Sequence, residues 1–249
     1  WDDALAFTKA ADETGIPIIL QAGPSCRAHT PIPILGKMFR YLASQTKTNI
    51  CCHVDHGYTL DECYEGIDSG FTSVMFDGSK LTLKENIKIS KKIASRAHKH
   101  NISVEGEIGF VGYDNGKISE GTNIEDAVTF ANKSNIDAMA ISVGNTHLQT
   151  SKKASIDFNK INLIEAKTKI PLVLHGSSGI PVEQRKKLAR KTKVAKLNIG
   201  TEIRMTFGEA LRKNLKNNPK TYDRLQLLKP TIKDLTKVTK KIIKQIGPN

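Results

Sequence analysis

The sequence predicts an α/β fold in which a parallel β-sheet is covered on both faces by helices. Short apolar runs rich in β-branched residues alternate with stretches of helical periodicity, and this alternation continues without a break to about residue 199. Most of the apolar runs lack a regular polar alternation, as expected of strands that are buried on both faces. Strict alternation over this length fits a closed (β/α)8 barrel or an open, doubly wound sheet.

Seven apolar runs are predicted strands because β-branched and apolar residues dominate them and polar or glycine-containing segments bound them. They cover residues 16–22, 50–55, 72–77, 103–108, 137–143, 171–175 and 194–199. The stretches between them are predicted helices because their apolar residues recur at helical spacing. These helices cover residues 2–14, 32–47, 60–69, 81–100, 123–134, 159–168 and 181–191.

The position of the polar residues separates a barrel from a doubly wound sheet. In a barrel, the reactive residues come from the carboxyl ends of several strands. A dinucleotide-binding sheet would carry GxGxxG after its first strand, and the sequence contains no such motif. Polar residues do cluster at the predicted strand ends: Asp55, His56, Asp77, Glu105, Glu107, Asn145, His147, His175 and Asn198. The sequence therefore predicts a (β/α)8 TIM barrel.

A closed barrel has eight strands, whereas this chain opens on a helix. We therefore expect a first strand upstream of Trp1, lying between the strands at 16–22 and 194–199. Residues 1–249 are expected to form one barrel domain with a helical extension at about 222–246. Apolar residues recur along that extension at helical spacing, with lysines opposite, which favours packing on the barrel or at a subunit interface.

Three histidines at or just after three different strand ends indicate a metal site. Imidazoles from His56, His147 and His175 suit Zn²⁺, which keeps one coordination position open when three protein ligands hold it. Any one of them alone would be better explained by hydrogen bonds to nearby backbone, but three equivalent positions argue against that. His53 lies inside a strand and is expected to pack or to support a ligand. The remaining histidines, His29, His98 and His100, have no such placement.

Five motifs in series resemble the class II (zinc-dependent) ketose-bisphosphate aldolases, such as those that act on fructose or tagatose bisphosphate. They are HVDHG at 53–57, GFTSVMFDGS at 70–79, VEGEIG at 104–109, HGSSG at 175–179 and KLNIGTE at 196–202. The early ILQA at 19–22 also fits, and the correspondence runs in order to about residue 205. Five motifs in order are far more specific than any one of them.

The resemblance implies a role for each matching residue. The zinc ligands would be His56, His147 and His175, with Asp77 and Glu107 beside the metal as supporting carboxylates or an alternative metal position. Asp55 would be the catalytic acid/base. The substrate and its phosphate would be bound by Gly176, Ser178, Asn198, Gly200 and Thr201. One zinc per chain, a monovalent cation (Na⁺ or K⁺) and a homodimer or homotetramer are implied, with a place in carbohydrate metabolism such as glycolysis.

General chemistry agrees with these roles. Retro-aldol cleavage needs a base for the hydroxyl that becomes the aldehyde and a Lewis acid for the charge left behind. Backbone amides in a Gly/Ser-rich turn that enters a helix suit a phosphate. Asp55 and His56 are neighbours, so a regular strand would point them apart; both reach one pocket only if the strand turns there, which Gly57 would permit.

Two features depart from the family's pattern. The family carries His-Gly after the sixth strand, where this chain has His147-Leu148, which puts the geometry around the phosphate in question. The family also has a mobile loop whose acid completes proton transfer. The corresponding segment is the Gly-rich 110–122, in which Asp114 is the first candidate and Glu120 the second. Each is equally well explained as a solvated loop acid.

Composition limits the classes of partner. Lys and Arg number 38 and Asp and Glu 25, a net charge of +13, but the lysines lie in helix-like stretches without interleaved aromatic residues. A solvated helix face is favoured over nucleic-acid binding. No apolar run approaches the roughly 18–20 residues that span a membrane, and nothing resembles a signal peptide, so no membrane partner and a cytoplasmic location are expected. None of the four cysteines forms a CxxC pair, and all are interpreted as structural.

Three other functions stay open. A non-catalytic or regulatory relative would bind a sugar phosphate without cleaving it, although the intact histidines and Asp55 argue against this. An aldolase could act on a different ketose phosphate. A Schiff-base aldolase would need a desolvated lysine at the mouth of the barrel, and only Lys196 lies in a strand near such a position, where the zinc family also has a lysine.

Overall fold

A computed structural model of the chain describes residues 1–114, 116 and 119–247. Seven parallel strands form one sheet: β1 (Ile18–Ala22), β2 (Ile50–Gly57), β3 (Ser73–Phe76), β4 (Ser103–Ile108), β5 (Ala138–Ile141), β6 (Leu172–Leu174) and β7 (Val194–Leu197). The helices are α1 (Asp2–Thr14), α2 (Pro24–His29), α3 (Ile32–Ser44), α4 (Leu60–Asp68), α5 (Leu83–Ala97), α6 (Ile124–Ser134), α7 (Phe158–Lys167), α8 (Val182–Lys191), α9 (Thr201–Asn217), α10 (Arg224–Leu228) and α11 (Thr231–Ile246). Short 3-10 turns cover His98–His100 and Ser177–Gly179.

The strands are hydrogen-bonded in chain order, from β1 to β7. Every neighbouring pair is parallel, so all carboxyl ends lie at the same rim of the curled sheet. Each strand is followed by at least one helix, as the sequence predicted. The α/β barrel-type fold is therefore confirmed. Within the described part of the chain, β1 and β7 are the two edges of the sheet and do not pair with each other. The expected first strand between them stays a prediction.

Alternation along the strands sends two kinds of side chain to the two faces of the sheet. Val54, Val74 and Val104 stand opposite one another on β2, β3 and β4 and are buried in the main apolar core beneath the helices. The other face carries polar groups. On this face, His53 on β2 and Glu105 on β4 both lie within hydrogen-bonding distance of Lys196 on β7. The barrel interior is therefore a polar network with a few apolar residues, rather than a purely hydrophobic filling.

The helices begin where the sequence supplies capping groups. Thr59 and Glu62 form a reciprocal capping box at α4, and Thr82 and Glu85 form another at α5. Each box satisfies two backbone amides that a helix end leaves unpaired. These caps fix where α4 and α5 start after β2 and β3, and hence where the loops at the carboxyl rim end.

The C-terminal segment differs from the single helix expected at about 222–246. It forms two helices, α10 and α11, which are separated at Lys229 and Pro230. Proline lacks an amide hydrogen and clashes with the preceding turn, so it begins a helix more readily than it continues one. Leu235 is fully buried on α11, which packs against α1, α8 and α9. The apolar stripe thus covers other helices of the same chain.

Three further findings concern a short helix, membrane-spanning helices and the cysteines. The short helix α2, directly after β1, was not expected from the sequence. None of the helices in the described ranges is long and apolar enough to cross a membrane. The cysteines are unpaired, and Cys52 and Cys63 are buried, whereas Cys26 on α2 is exposed.

Candidate active site

The carboxyl rim of the sheet brings together the polar residues that the sequence placed at strand ends. Asp55 and His56 lie on the last part of β2, and Asp77 follows β3 directly. Glu107 lies on β4, and His175 follows β6 directly. The remaining members of the group, Asn145, His147 and Asn198, follow β5 and β7. Residues far apart in the chain therefore share one pocket.

The three histidines converge on one point. His56 Nε2 lies 2.8 Å from His175 Nδ1. The ring of His147 is centred 5.3 Å from that of His56 and 5.8 Å from that of His175. One nitrogen from each ring lies within 4.8 Å of the other two. Three nitrogen donors this close form a set that suits Zn²⁺, which takes imidazole ligands and tolerates an open position.

Two carboxylates stand beside the histidines. Asp77 Oδ2 lies 2.7 Å from His56 Nδ1, and Glu107 Oε2 lies 3.6 Å from the same nitrogen. His56, Asp77 and Glu107 form a second group of donors within 4.8 Å of one another. Glu107 Oε2 is buried and makes no hydrogen bond to the described residues. A buried, unpartnered carboxylate oxygen is costly without a cation or proton, so the donor set fits a metal.

The backbone of His56 explains how neighbouring side chains reach the same pocket. His56 has φ +52°, in the left-handed region that L-residues seldom occupy. The register between β2 and β3 also shifts between Val54 and Gly57. The turn is thus made at His56, whereas the sequence suggested that Gly57 would make it. Glycine is required at position 57 for space, because a Cβ there would lie 2.8 Å from Cys63 Sγ and from the Met75 carbonyl oxygen.

Asp55 is held in a defined orientation beside the histidines. Its carboxylate Oδ1 accepts a hydrogen bond from Asn198 Nδ2 at 3.0 Å, and the residue is buried. Burial alone would raise the pKa of the Asp55 carboxyl, but the neighbouring His56 and His175 rings and Lys196 lower it overall. The carboxylate form, which can accept a proton, is therefore the favoured state.

The electrostatics of the histidines differ from one ring to the next. Burial opposes protonation of His56, but Asp55, Asp77 and Glu107 raise its pKa to about 9. Burial and the neighbouring His56 lower the pKa of His147 to about 4. The contact with Asp77 occupies His56 Nδ1 and leaves Nε2 facing His175. A carboxylate that fixes a ring in this way is common behind metal-ligating histidines.

A buried ion pair lies under the site, in the barrel interior. Glu105 Oε1 lies 3.0 Å from His175 Nε2, and Glu105 Oε2 accepts a hydrogen bond from Lys196 Nζ at 2.7 Å. Lys196 Nζ also lies 3.2 Å from His53 Nε2. The sequence had assigned no role to Glu105, although the alternation in SVEGEI puts it on the same face as Glu107. Because Lys196 is engaged with a carboxylate, its contacts do not favour the Schiff-base alternative.

The expected phosphate region lies after β6 and β7. Gly176 has φ +62°, and a Cβ there would lie 2.2 Å from the Thr146 carbonyl oxygen, so only glycine fits. Ser178 Oγ accepts a hydrogen bond from the Glu202 amide at 3.2 Å, which joins this turn to the start of α9. Within the described residues, the amides of Ser178 and Thr201 donate no hydrogen bond. They are therefore available to an anion.

Gly200 and Leu148 behave differently from Gly176. A Cβ at Gly200 would meet only the flexible guanidinium of Arg204, at 3.2 Å, so the backbone there does not demand glycine. Leu148 has φ +60° and is 52% exposed. Leucine thus occupies a left-handed position that glycine adopts without strain. Arg204 Nη2 lies 3.4 Å from Thr201 Oγ1 and places a cation beside the turn, which sequence reasoning had missed.

The loop acids lie at the edge of the site. The Asp114 amide donates to the His147 carbonyl oxygen at 3.0 Å, and the Asp114 side chain is exposed. The ring of Tyr113 stacks on that of His147, with centroids 5.1 Å apart. Glu120 is exposed and pairs through its backbone with Phe110. Residues 115, 117 and 118 of the predicted mobile loop lie outside the described residues.

Comparisons with known proteins find similar sequences and a similar fold along nearly the whole chain. The family described as fructose-bisphosphate aldolase class-II matches residues 1–249. A 6-phospho-5-dehydro-2-deoxy-D-gluconate aldolase of Shouchella clausii is 37% identical over 201 residues, covering 80% of this chain and 68% of the relative. A fructose-bisphosphate aldolase of Staphylococcus aureus is 32% identical, covering 97% of this chain and 87% of the relative. The solved YdjI aldolase from Escherichia coli K12 superposes with a TM-score of 0.86 at 26% identity, covering 99% of this chain and 88% of that one.

Proposed function

The chain belongs to the class II fructose-bisphosphate aldolase family, and from that premise we propose that it is a zinc-dependent aldolase cleaving a phosphorylated ketose. The products would be dihydroxyacetone phosphate and an aldehyde, and the reaction would be reversible. The observation that carries the proposal is the convergence of His56, His147 and His175 beside the oriented carboxylate of Asp55. A site that only bound sugar phosphate would need neither the nitrogen cluster nor a positioned base.

His56, His147 and His175 would hold the zinc, one ion per chain. Zinc supplies Lewis acidity at the ketone end of the substrate. Asp77 would orient His56 through Nδ1, and Glu107, whose buried oxygen lacks a hydrogen bond, would lie beside the ion or offer it an alternative position. A monovalent cation near the phosphate belongs to the same proposal.

Asp55 would act as the base that starts carbon–carbon cleavage. It would take the proton from the hydroxyl of the carbon that becomes the aldehyde, and the electrons of the broken bond would move toward the ketone. Asn198 holds the Asp55 carboxylate in place at 3.0 Å, so the proton acceptor is fixed before substrate arrives. An acid must then return a proton to the carbon left behind. Asp114 is our first candidate and Glu120 our second.

The amides of Ser178 and Thr201 would bind the substrate's phosphate. Thr201 begins the 17-residue helix α9, whose N-terminus favours an anion. Gly176, Asn198 and Gly200 would complete the lining of the substrate site. With the predicted upstream strand counted as the first, these turns would follow strands seven and eight, where barrels of this type commonly bind phosphate. Leu148 narrows one side of it, but the backbone donors remain.

The substrate's aldehyde half differs between relatives. Their names describe a fructose bisphosphate in one case and a 6-phospho-5-dehydro-2-deoxygluconate in the other. The second name places a carbonyl at carbon 5 and a phosphate at carbon 6, so the phosphate lies next to the ketone carbon. We therefore propose this feature, a phosphate on the carbon beside the ketone, as the common requirement. The aldehyde half is the variable part.

A panel assay tests the function directly. Fructose and tagatose bisphosphates, ketose 1-phosphates, 6-phospho-5-dehydro-2-deoxygluconate and unphosphorylated ketoses would be offered with and without a chelator. We expect cleavage of at least one phosphorylated ketose, its loss with chelator and its return with zinc. Cleavage that survives metal removal would contradict the zinc proposal. Equal cleavage of unphosphorylated ketoses would contradict the phosphate requirement, and binding without cleavage would favour the non-catalytic alternative.

A further inference from the structure

Two buried arginines bind the backbone of two of the segments that form the candidate site. Arg27 lies on α2 and Arg185 on α8, and both side chains are almost completely buried, with 5% and 0% of their surface exposed. Charged side chains are rarely buried this fully unless hydrogen bonds compensate for the lost water. The acceptors they use are mostly backbone carbonyl oxygens of functional loops.

Arg27 joins the end of β1 to the turn at the end of β2. Its Nη1 donates to the carbonyl oxygens of Ala22 and Asp55, and its Nη2 donates to that of His56 at 2.9 Å. Glu62 Oε1 lies 3.6 Å from the guanidinium and partly balances its charge. One planar cation thus holds both peptide groups that follow the proposed base and the proposed zinc ligand.

The turn that Arg27 holds is a strained one. His56 occupies a left-handed conformation that is unfavourable for a non-glycine residue, so the surrounding structure must favour it. The hydrogen bonds from Arg27 fix the orientation of the Asp55 and His56 carbonyl groups. The two side chains are then kept together on the pocket side.

Arg185 holds the turn after β6 in the same manner. Its Nε donates to the Ser177 carbonyl oxygen at 2.9 Å, and its Nη2 donates to that of Ser178 at 2.8 Å and to Glu202 Oε2 at 2.7 Å. A trans peptide group is planar, with its N–H pointing opposite to its C=O. Because Arg185 binds the Ser177 carbonyl, the Ser178 amide of that peptide group points the other way.

We propose that Arg27 and Arg185 are positioning residues with separate effects. Arg27 holds the Asp55–His56 turn and so sets zinc affinity and kcat. Arg185 orients the Ser178 amide and so sets affinity for the substrate's phosphate. The inference rests on the proposed function for its meaning, but zinc and phosphate binding at equilibrium can be measured without turnover.

The test compares R27K and R185K, with R96K as a matched control. Lysine keeps the positive charge but cannot bridge several carbonyls as the planar guanidinium fork does. Arg96 is an exposed arginine that pairs with Asp68 at 2.7 Å, remote from the proposed machinery. Zinc affinity is measured by competition with a chromophoric chelator. Inorganic phosphate binding to the zinc-loaded protein is measured by calorimetry.

We expect R27K to weaken zinc binding and lower kcat by about 10–100-fold, the usual effect of losing a group that orients a metal ligand. Its phosphate affinity should stay within about twofold of wild type, because the Ser178 turn is untouched. R185K should show the reverse: phosphate affinity falls about tenfold and KM rises, while zinc affinity is unchanged. R96K should match wild type in all three measurements.

Loss of both affinities in both variants would show only a general structural role and overturn the proposal, as would unchanged affinities. Thermal unfolding identifies any lysine variant that does not fold. Such a variant is replaced by R27Q or R185Q, because glutamine keeps two hydrogen-bond donors without the charge. The same outcomes then support or overturn the proposal. A wild-type protein that binds zinc and phosphate but cleaves no phosphorylated ketose would contradict the proposed function. The present inference would then still be decided by the binding data.

Discussion

Asp55 is the base that we propose for the cleavage step. Its carboxylate is oriented by Asn198 and lies among the histidines, yet it is not one of the grouped metal donors. Asp55→Asn should therefore retain zinc and phosphate binding while kcat falls roughly 10²–10⁴-fold, the usual worth of a positioned acid or base. Steady-state kinetics with zinc analysis checks this. Asp68→Asn, an exposed aspartate, is the control, and near wild-type activity of Asp55→Asn would assign the base elsewhere.

His147 and His175 offer a second test on single residues. Replacing either by Ala should reduce bound zinc from about one ion per chain to a small fraction, because three protein ligands are needed for a catalytic zinc site. His98→Ala is a matched control, since His98 is a partly exposed histidine bonded to Asp137 at 2.9 Å. Metal analysis after dialysis gives the result. Full zinc occupancy in His175→Ala would contradict the ligand assignment.

At this scale the sequence predicted which side chains meet but not how they are held. Strand-end position brings His56, His147 and His175 together, since parallel strands end at one rim. The left-handed backbone of His56 could not be predicted, because local patterns gave the turn to the adjacent glycine. Arg27 and Arg185 resemble surface cations in sequence, and only their contacts with distant carbonyls show otherwise.

Between elements, the contact of α8 with the start of α9 should respond to acid. Burial would raise the pKa of Glu202, but hydrogen bonds from Arg185 and Lys152 lower it below its usual value. A carboxyl with a lowered folded-state pKa stabilises the fold above its unfolded pKa, near 4.3, and this stability is lost as pH falls through the folded value. Glu202→Gln removes this dependence while keeping an acceptor for Arg185.

The expected result is a difference in free energy of unfolding between wild type and Glu202→Gln that is constant from neutral pH to about pH 5 and shrinks below about pH 4.5. Urea titrations at each pH measure it. Glu183→Gln is the control, because Glu183 pairs with Lys186 at an exposed site. A difference that stays constant down to pH 3 would show that the Glu202 pKa is not lowered by folding.

The elements themselves were largely predictable, and their misses have physical causes. Every predicted strand is present; five are two or three residues shorter than predicted, β4 matches and β2 is two residues longer, because a sequence pattern does not fix where a strand's hydrogen bonds end. The six residues of α2 are too few to show helical periodicity, and they contain no apolar stripe. Pro230 divides α10 from α11 even though apolar spacing continues across it, because a missing amide outweighs the pattern there.

On the scale of the whole molecule, the sequence fits a barrel because buried strands and strand-end polar groups agree with one topology. The parallel pairing follows from βα alternation, whereas the order β1 to β7 also needed the polar residues at strand ends, which favoured a barrel over a doubly wound sheet. The polar contacts inside the barrel could not be predicted from the alternation pattern, since Glu105, Lys196 and His53 lie on three strands separated in sequence. Their contacts depend on the curvature of the sheet, which places the side chain of Lys196 on β7 within reach of β2 and β4.

Net charge gives the last prediction. The excess of basic residues, 38 against 25, should attract an anionic substrate over a distance that salt shortens. The screening length falls from about 30 Å at 0.01 M salt to about 8 Å at 0.15 M. We therefore expect KM for a phosphorylated ketose to rise several-fold between these salt concentrations, while kcat changes little, because the buried Asp55 and the histidines are screened much less.

The matched control removes one local charge and leaves the net charge of the rest of the protein unchanged. Arg204→Gln removes the cation beside Thr201 and should raise KM at low and high salt alike, since a contact within the site is less screened than the distant field. A mobility-shift assay with nucleic acid at both salt concentrations tests the competing use of the same charge. If KM does not change with salt while nucleic acid binds tightly, the basic surface serves a polyanion and not the substrate.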